Sequence, residues 1–178
     1  KLIGKLHDAF KLEFGTIPLY LSGMYSVTPG GYTEQVFRSI LMDEMKHLCI
    51  VSNLINALGG KPDYKSNIPS YPCNLPQVFQ EAKNHKLGEK INVGPCTPDQ
   101  VKKLIMIEYP TEVENIQLIL DGLSAGSQKR MKELKDYLNE VLYEIDNNDQ
   151  FKTIGMFYEE IIEDLWRLYD LYKEDPHN

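Results

Sequence analysis

Cysteine and clustered positive charge are what this chain has little of, and each scarcity removes a class of function. Its three cysteines, Cys49, Cys73 and Cys96, form no Cys-x-x-Cys pair. Neither a thiolate zinc site nor a dithiol redox motif is therefore expected. Cys73 and Cys96 share one long loop and are able to pair, but a reduced intracellular protein, cytoplasmic in location, is the favoured expectation. No apolar run approaches the roughly 20 residues of a membrane span, and no secretory signal is visible. Nineteen lysines and arginines stand against 26 acidic residues, a formal net charge of −7, and the basic residues are scattered. That balance argues against nucleic acid or a membrane surface as the main partner. No internal repeat and no strand-rich stretch is present.

What remains is an ordinary globular composition, 42% hydrophobic and 25% charged over 178 residues, enough for one domain with a real core. The chain opens on Lys1 with helical periodicity already running, as a processed or trimmed piece would. From about Leu2 to Tyr25, the residues Leu2, Leu6, Phe10, Ile17, Leu21 and Met24 keep a helical period, with Glu13 on their face. Pro18 is expected to kink this helix and free a backbone carbonyl near Phe14. Thr28-Pro29-Gly30-Gly31 is a turn short enough to make the next helix antiparallel. That helix, about Thr33 to Leu58, should stop at Gly59-Gly60-Lys61-Pro62, a glycine cap followed by proline.

Periodicity then disappears from Lys61 to Cys96, a loop carrying Pro62, Pro69, Pro72, Pro76 and Pro95. Its length suits a crossover or a functional cover. Thr97-Pro98-Asp99-Gln100 opens a third helix, with Thr97 as N-cap, Pro98 in the first turn and Gln100 at the reciprocal capping-box position. Val101, Leu104, Ile105 and Glu108 share its face, and Pro110 bends or ends it. About Glu112 to Leu142 reads as mostly helical, with a break near Gly122 to Gly126. After a loop at 146–149, a last helix runs from about Thr153 to Lys173. The class is all-α: an antiparallel helical bundle with a long proline-rich crossover loop.

One tetrapeptide stands out against this background. Glu44-Met-Lys-His47 places a carboxylate and an imidazole three residues apart, hence on one side of a helix. At roughly 100° per residue, Val36, Phe37, Ile40, Val51, Ile55 and Leu58 define the apolar face, and both polar residues fall within about 40° of its centre. Such groups in a core must be paired or ligated. A lone Glu-x-x-His is more often a surface coincidence, and a single buried glutamate more often a satisfied hydrogen-bond partner. Here Glu13, Glu44 with His47, and Glu108 occupy three helical faces. A di-metal carboxylate bundle takes one Glu from each of two helices and a Glu-x-x-His from each of two more. This chain supplies both single glutamates and one pair, so the expected metal ligands are Glu13, Glu44, His47 and Glu108.

Other candidates read as bystanders. Asp43 lies at the edge of its helix face, His7 at a surface margin, and His85 and His177 in loop-like or terminal sequence. Tyr20, Tyr25, Tyr109 and Tyr158 neighbour the site, with core packing the default role for each. Met24, Met42, Met45 and Met106 are read as core or flank residues. On the last helix, Ile154, Tyr158, Ile161, Leu165, Leu168 and Tyr172 define the buried face. Glu159, Glu160 and Glu163 lie away from it, and Asp164 is marginal.

At these residues the chain resembles a known family. Leu12-Glu13-Phe14-Gly15-Thr16-Ile17-Pro18-Leu19-Tyr20-Leu21 and Met24-Tyr25-Ser26-Val27-Thr28-Pro29-Gly30 are similar to the opening of a ferritin-like domain family that includes the iminophenyl-pyruvate dimer synthases. The similarity continues through Asp43-Glu44-Met45-Lys46-His47-Leu48 and Asn53 to Pro62. It resumes at Pro69-Ser70-Tyr71-Pro72, Met106-Ile107-Glu108-Tyr109-Pro110 and Thr153-Ile154-Gly155-Met156-Phe157-Tyr158. Roughly Lys5 to Pro110 is well covered. The resemblance implies a ferritin-like four-helix bundle with a di-iron-type site, and Glu13, Glu44, His47 and Glu108 match ligand-type positions. Relatives carry a further helix with a second acidic and histidine pair after the Thr-Ile-Gly helix. Here that pair is absent, lies beyond Asn178, or comes from another chain.

The expectation is thus a single ferritin-like domain over 1–178, open at its C-terminal end. Its leading function is a non-haem di-iron oxidoreductase acting on a small organic substrate with dioxygen. Two iron ions are expected in a complete site, with zinc or manganese as alternatives and a homo-oligomer compatible. The competing reading is a non-catalytic binding or interaction protein with an incomplete site. A one-zinc hydrolase fits less well because the zincin His-Glu-x-x-His is missing. Iron storage fits least.

Overall fold

The structure is a computed structural model, and it describes residues 1–73, 90–108 (106 by its backbone alone) and 154–174, with Lys132, Asp136 and Asn139. The helical stretch expected over 112–142, the middle of the proline-rich loop, His85, His177 and Tyr109 lie outside the described residues. Those described form four helices and no strand, in keeping with an all-α bundle.

Helix α1 spans Leu2–Tyr25, with Leu6, Ala9, Phe10, Leu12, Leu19, Tyr20 and Met24 buried along one stripe. Pro18 sits inside it, where a missing N–H leaves the Phe14 carbonyl without its helical donor. At the neighbouring carbonyl of Gly15, the Tyr71 hydroxyl donates a hydrogen bond of 2.5 Å, tying the following loop to this turn.

The connection to α2 (Tyr32–Ala57) is closed by Gly31 N–H donating to the Thr28 carbonyl at 3.1 Å, with Gly30 at φ +76°. The two helices are antiparallel: Gly23 lies against Phe37, Thr16 against Glu44 and Glu13 against His47. At Gly23 a Cβ would come within 2.7 Å of the Phe37 ring, so the glycine sets how closely this end of the pair approaches. Helix α2 ends in a Schellman motif. Gly59 takes φ +77° and donates to Asn56 O at 3.0 Å, and Gly60 donates to Ile55 O at 2.8 Å.

The buried stripe of α2 is Phe37, Leu41, Glu44, Leu48, Val51, Ser52 and Ile55. This differs from the expected face by a fraction of a turn. Val36 is exposed and His47 stands at the rim, because the packing partner α1 meets the 37-41-44-48 row rather than the 36-40-47 row.

Helix α3 (Pro98–Ile107) starts as the sequence indicates, with Thr97 Oγ1 accepting the Gln100 N–H at 3.2 Å. The reciprocal half of the capping box is not made. The Gln100 side-chain amide donates instead to Asn92 O at 2.9 Å, stitching α3 to the strand-like bridge that pairs Cys73 with Ile91. All three cysteines are free. In the preceding loop Tyr64 packs edge-on against Phe10 and Phe14, at ring separations of 4.9 and 5.8 Å, and its hydroxyl meets Ser52 Oγ at 2.8 Å.

Helix α4 (Ile154–Glu174) docks through its first half, where Phe157 and Ile161 are buried and Ile154, Tyr158 and Leu165 half-buried. Leu168 and Tyr172, expected on the buried face, are exposed among the described residues. Lys5 of α1 pairs with Glu160 at 3.2 Å and Asp164 at 2.9 Å, fixing the rotation of α4.

Two apolar clusters result. One joins Leu12, Leu19, Tyr20, Met24, Phe37 and Leu41 to Ile91, Leu104 and Ile107. The other joins Leu6, Ala9, Phe10, Leu48, Val51 and Ile55 to Phe157 and Ile161. Between them, on the α1–α2 seam, lie the buried polar residues Glu13, Thr16 and Glu44.

Candidate metal centre

Glu13 is 1% exposed and Glu44 is 4% exposed, each on the stripe its helix buries against the other. Their inner oxygens converge. Glu13 Oε2 lies 3.4 Å and Glu44 Oε1 3.3 Å from Nδ1 of His47, whose side chain is 49% exposed. One ligand atom from each of these three residues lies within 4.8 Å of the other two. Two hard oxygens and one imidazole nitrogen, gathered at a buried wall with one open side, are a donor set that suits a divalent cation. The residues fit the group.

The outer oxygens are held separately. Thr16 Oγ1 makes a short contact with Glu44 Oε2 and lies 2.9 Å from the Glu13 main-chain carbonyl. The Tyr158 hydroxyl of α4 donates to Glu13 Oε1. The Tyr20 hydroxyl donates to Glu108 Oε1 at 2.5 Å. Glu108 is the C-cap of α3, one residue past its last helical position, and its residue surface is exposed rather than on the buried face. It is bonded to Tyr20 and acts on Glu13 and Glu44 through its charge.

Electrostatics reflect this crowding. Burial pushes the Glu13 carboxyl up to about 7, with the Glu108 charge adding to the rise and the Tyr158 hydrogen bond opposing it. Burial likewise pushes Glu44 up to about 8, helped by Glu108 and Glu13 and opposed by Thr16 and His47. The Tyr20 and Tyr158 phenols are driven well above the usual tyrosine range by burial and by these carboxylates. Both remain hydrogen-bond donors.

The structure therefore brings together Glu13, Glu44 and His47 directly, with Glu108 alongside. Asp43 is exposed and pairs with Lys46 at 2.8 Å. His7 is only half-buried and away from the seam. Tyr25, read from sequence as a neighbour, is exposed at the end of α1. Met24 is core, whereas Met42 and Met45 are exposed. From sequence Tyr20 and Tyr158 have only a packing role and Thr16 has none at the site, whereas all three hydroxyls engage a glutamate. A signal was available on α1: Glu13, Thr16 and Tyr20 follow i, i+3, i+7 spacing, one polar row inside an apolar stripe.

A family model for ferritin-like proteins matches residues 6–178. The chain belongs to the ferritin-like family. No curated protein and no solved structure matches it. No helix among the described residues is long and apolar enough to cross a membrane.

Proposed function

We propose that this ferritin-like domain, taken as one unit over residues 1–178, is a metal-binding protein of the di-iron type, with Glu13, Glu44, His47 and Glu108 as its ligands. The observation that carries the proposal is the convergence of Glu13 Oε2, Glu44 Oε1 and His47 Nδ1 on one point between two apolar clusters. Buried carboxylates with no cation partner are costly, and a divalent ion offsets that cost.

The activity we propose for it is oxidation of a small organic substrate with dioxygen. Bound iron supplies open coordination positions and redox chemistry; manganese or zinc fits the same donors. The chain's own residues hold the carboxylates between two apolar clusters and leave the His47 side open to a small molecule. Elemental analysis and oxygen uptake on purified full-length protein test this. Two irons per chain with oxygen consumption are expected; fewer than two sink the di-iron assignment.

A second reading has one observation in its favour. Helix α4 meets Glu13 with the Tyr158 hydroxyl while its Glu159 and Glu163 are exposed, so among the described residues it adds no second carboxylate and histidine pair to the site. A non-catalytic protein with a partial site would bind one ion or none and fold unaffected by Glu44→Ala.

A further inference from the structure

We propose that Thr16 and Tyr158 are positioning residues of the metal centre: each hydroxyl holds the outer oxygen of one carboxylate, so that the inner oxygen faces His47. The inference rests on the metal-binding reading and adds to it the groups that aim the ligands. Three geometric facts converge. Glu44 Oε2 is engaged by Thr16 while Glu44 Oε1 lies 3.3 Å from His47 Nδ1. Glu13 Oε1 is engaged by Tyr158 while Glu13 Oε2 lies 3.4 Å from the same nitrogen. Thr16 Oγ1 also lies 2.9 Å from the Glu13 carbonyl of its own helical turn, a second acceptor that shares its single proton with Glu44 Oε2 and keeps the hydroxyl at the seam.

The physical reason is the freedom of a glutamate. Three side-chain torsions allow a carboxylate to swing away from its neighbour, and two carboxylates at one buried point repel. A hydroxyl donor on the far oxygen removes that freedom and turns the remaining lone pairs inward. Partners behind the ligands tune metal affinity in this way generally. Helix α4 thereby joins the site with a donor rather than a ligand, and its docking by Phe157 and Ile161 becomes part of metal binding.

The test is cobalt(II) titration of the full metal-stripped chain, followed by visible absorption and calorimetry, with circular dichroism to confirm folding. Thr16→Val keeps shape and loses the donor; Tyr158→Phe does the same on α4. Each is expected to weaken cobalt binding roughly 10- to 100-fold and to alter the cobalt spectrum. Thr16→Ser, which restores the hydroxyl, should return both toward wild type. Wild-type affinity and spectrum in both donor-less variants overturn the proposal, as does Thr16→Ser behaving like Thr16→Val. If Thr16→Val fails to fold, Tyr158→Phe decides alone. An iron(III) phenolate absorption band that Tyr158→Phe abolishes would make Tyr158 a ligand and overturn its positioning role. Absence of cobalt binding in the wild type would instead defeat the metal-binding reading itself.

Discussion

A buried glutamate is useful to a metal site and costly to a fold, and Glu44 makes the conflict measurable. Burial and its acidic neighbours hold its carboxyl at about 8, so metal-free protein at neutral pH keeps a proton there. Glu44→Gln preserves volume, and the amide oxygen can still accept from Thr16. The substitution should raise the stability of metal-free protein at pH 8 by about 1–3 kcal/mol, while abolishing metal binding. Urea denaturation in chelator, paired with a metal titration, checks both halves; a destabilised variant would mean the charge is compensated by a group other than the metal. Glu13, held at about 7, behaves alike. Ion binding near pH 6 should accordingly release close to two protons, read from calorimetry in buffers of different ionisation enthalpy. Release near zero would show the carboxylates already ionised.

Among the elements, the helices were legible because their ends carry local chemistry. Gly59 and Gly60 form a Schellman motif, Thr97 caps α3, and Gly30 turns the chain between α1 and α2. These signals act within a few residues, so the sequence displays them. Glu13 and Glu44 were legible for a related reason, since helical periodicity alone puts them on buried stripes. What could not be read is set by partners far away in the chain. Whether the face of α2 centres on His47 or on Glu44 depends on how α1 approaches, which Gly23 and Phe37 decide. The Tyr158 hydroxyl meets a carboxylate on another helix, and no local pattern encodes that. Two substitutions test the element-level account. Gly59→Ala places a Cβ at φ +77° and should cost about 1–2 kcal/mol, seen as a lower denaturant midpoint with unchanged metal affinity. Ile161→Ala removes a buried anchor of α4 and should cost about 2–5 kcal/mol. Because α4 carries Tyr158, this variant should also weaken metal binding, whereas Gly59→Ala should not.

For the whole molecule, these groups give opposing dependences on pH. Glu13 and Glu44 have folded values raised above the ordinary 4.5, so the native state holds protons that the unfolded chain gives up. Their contribution is complete below about 4.5 and is lost as pH rises through about 7 to 8. Asp164 has the opposite sign: its hydrogen bond to Lys5 lowers its carboxyl below 3.8, and the α1–α4 tie weakens as pH falls through that range. Metal-free protein should therefore be most stable in mildly acid solution and lose stability steadily between about pH 5 and pH 8. A bound divalent cation reverses the upper limb, because it takes the place of the protons and binds more tightly as the carboxylates ionise. At a concentration 100 times its dissociation constant the ion adds about 2.7 kcal/mol. Thermal unfolding from pH 5 to pH 9, in chelator and in manganese(II), should give two curves that separate progressively above about pH 6. The ion-loaded curve should hold level where the metal-free one falls. Parallel curves would mean that the ion does not bind at Glu13 and Glu44, whatever its affinity elsewhere.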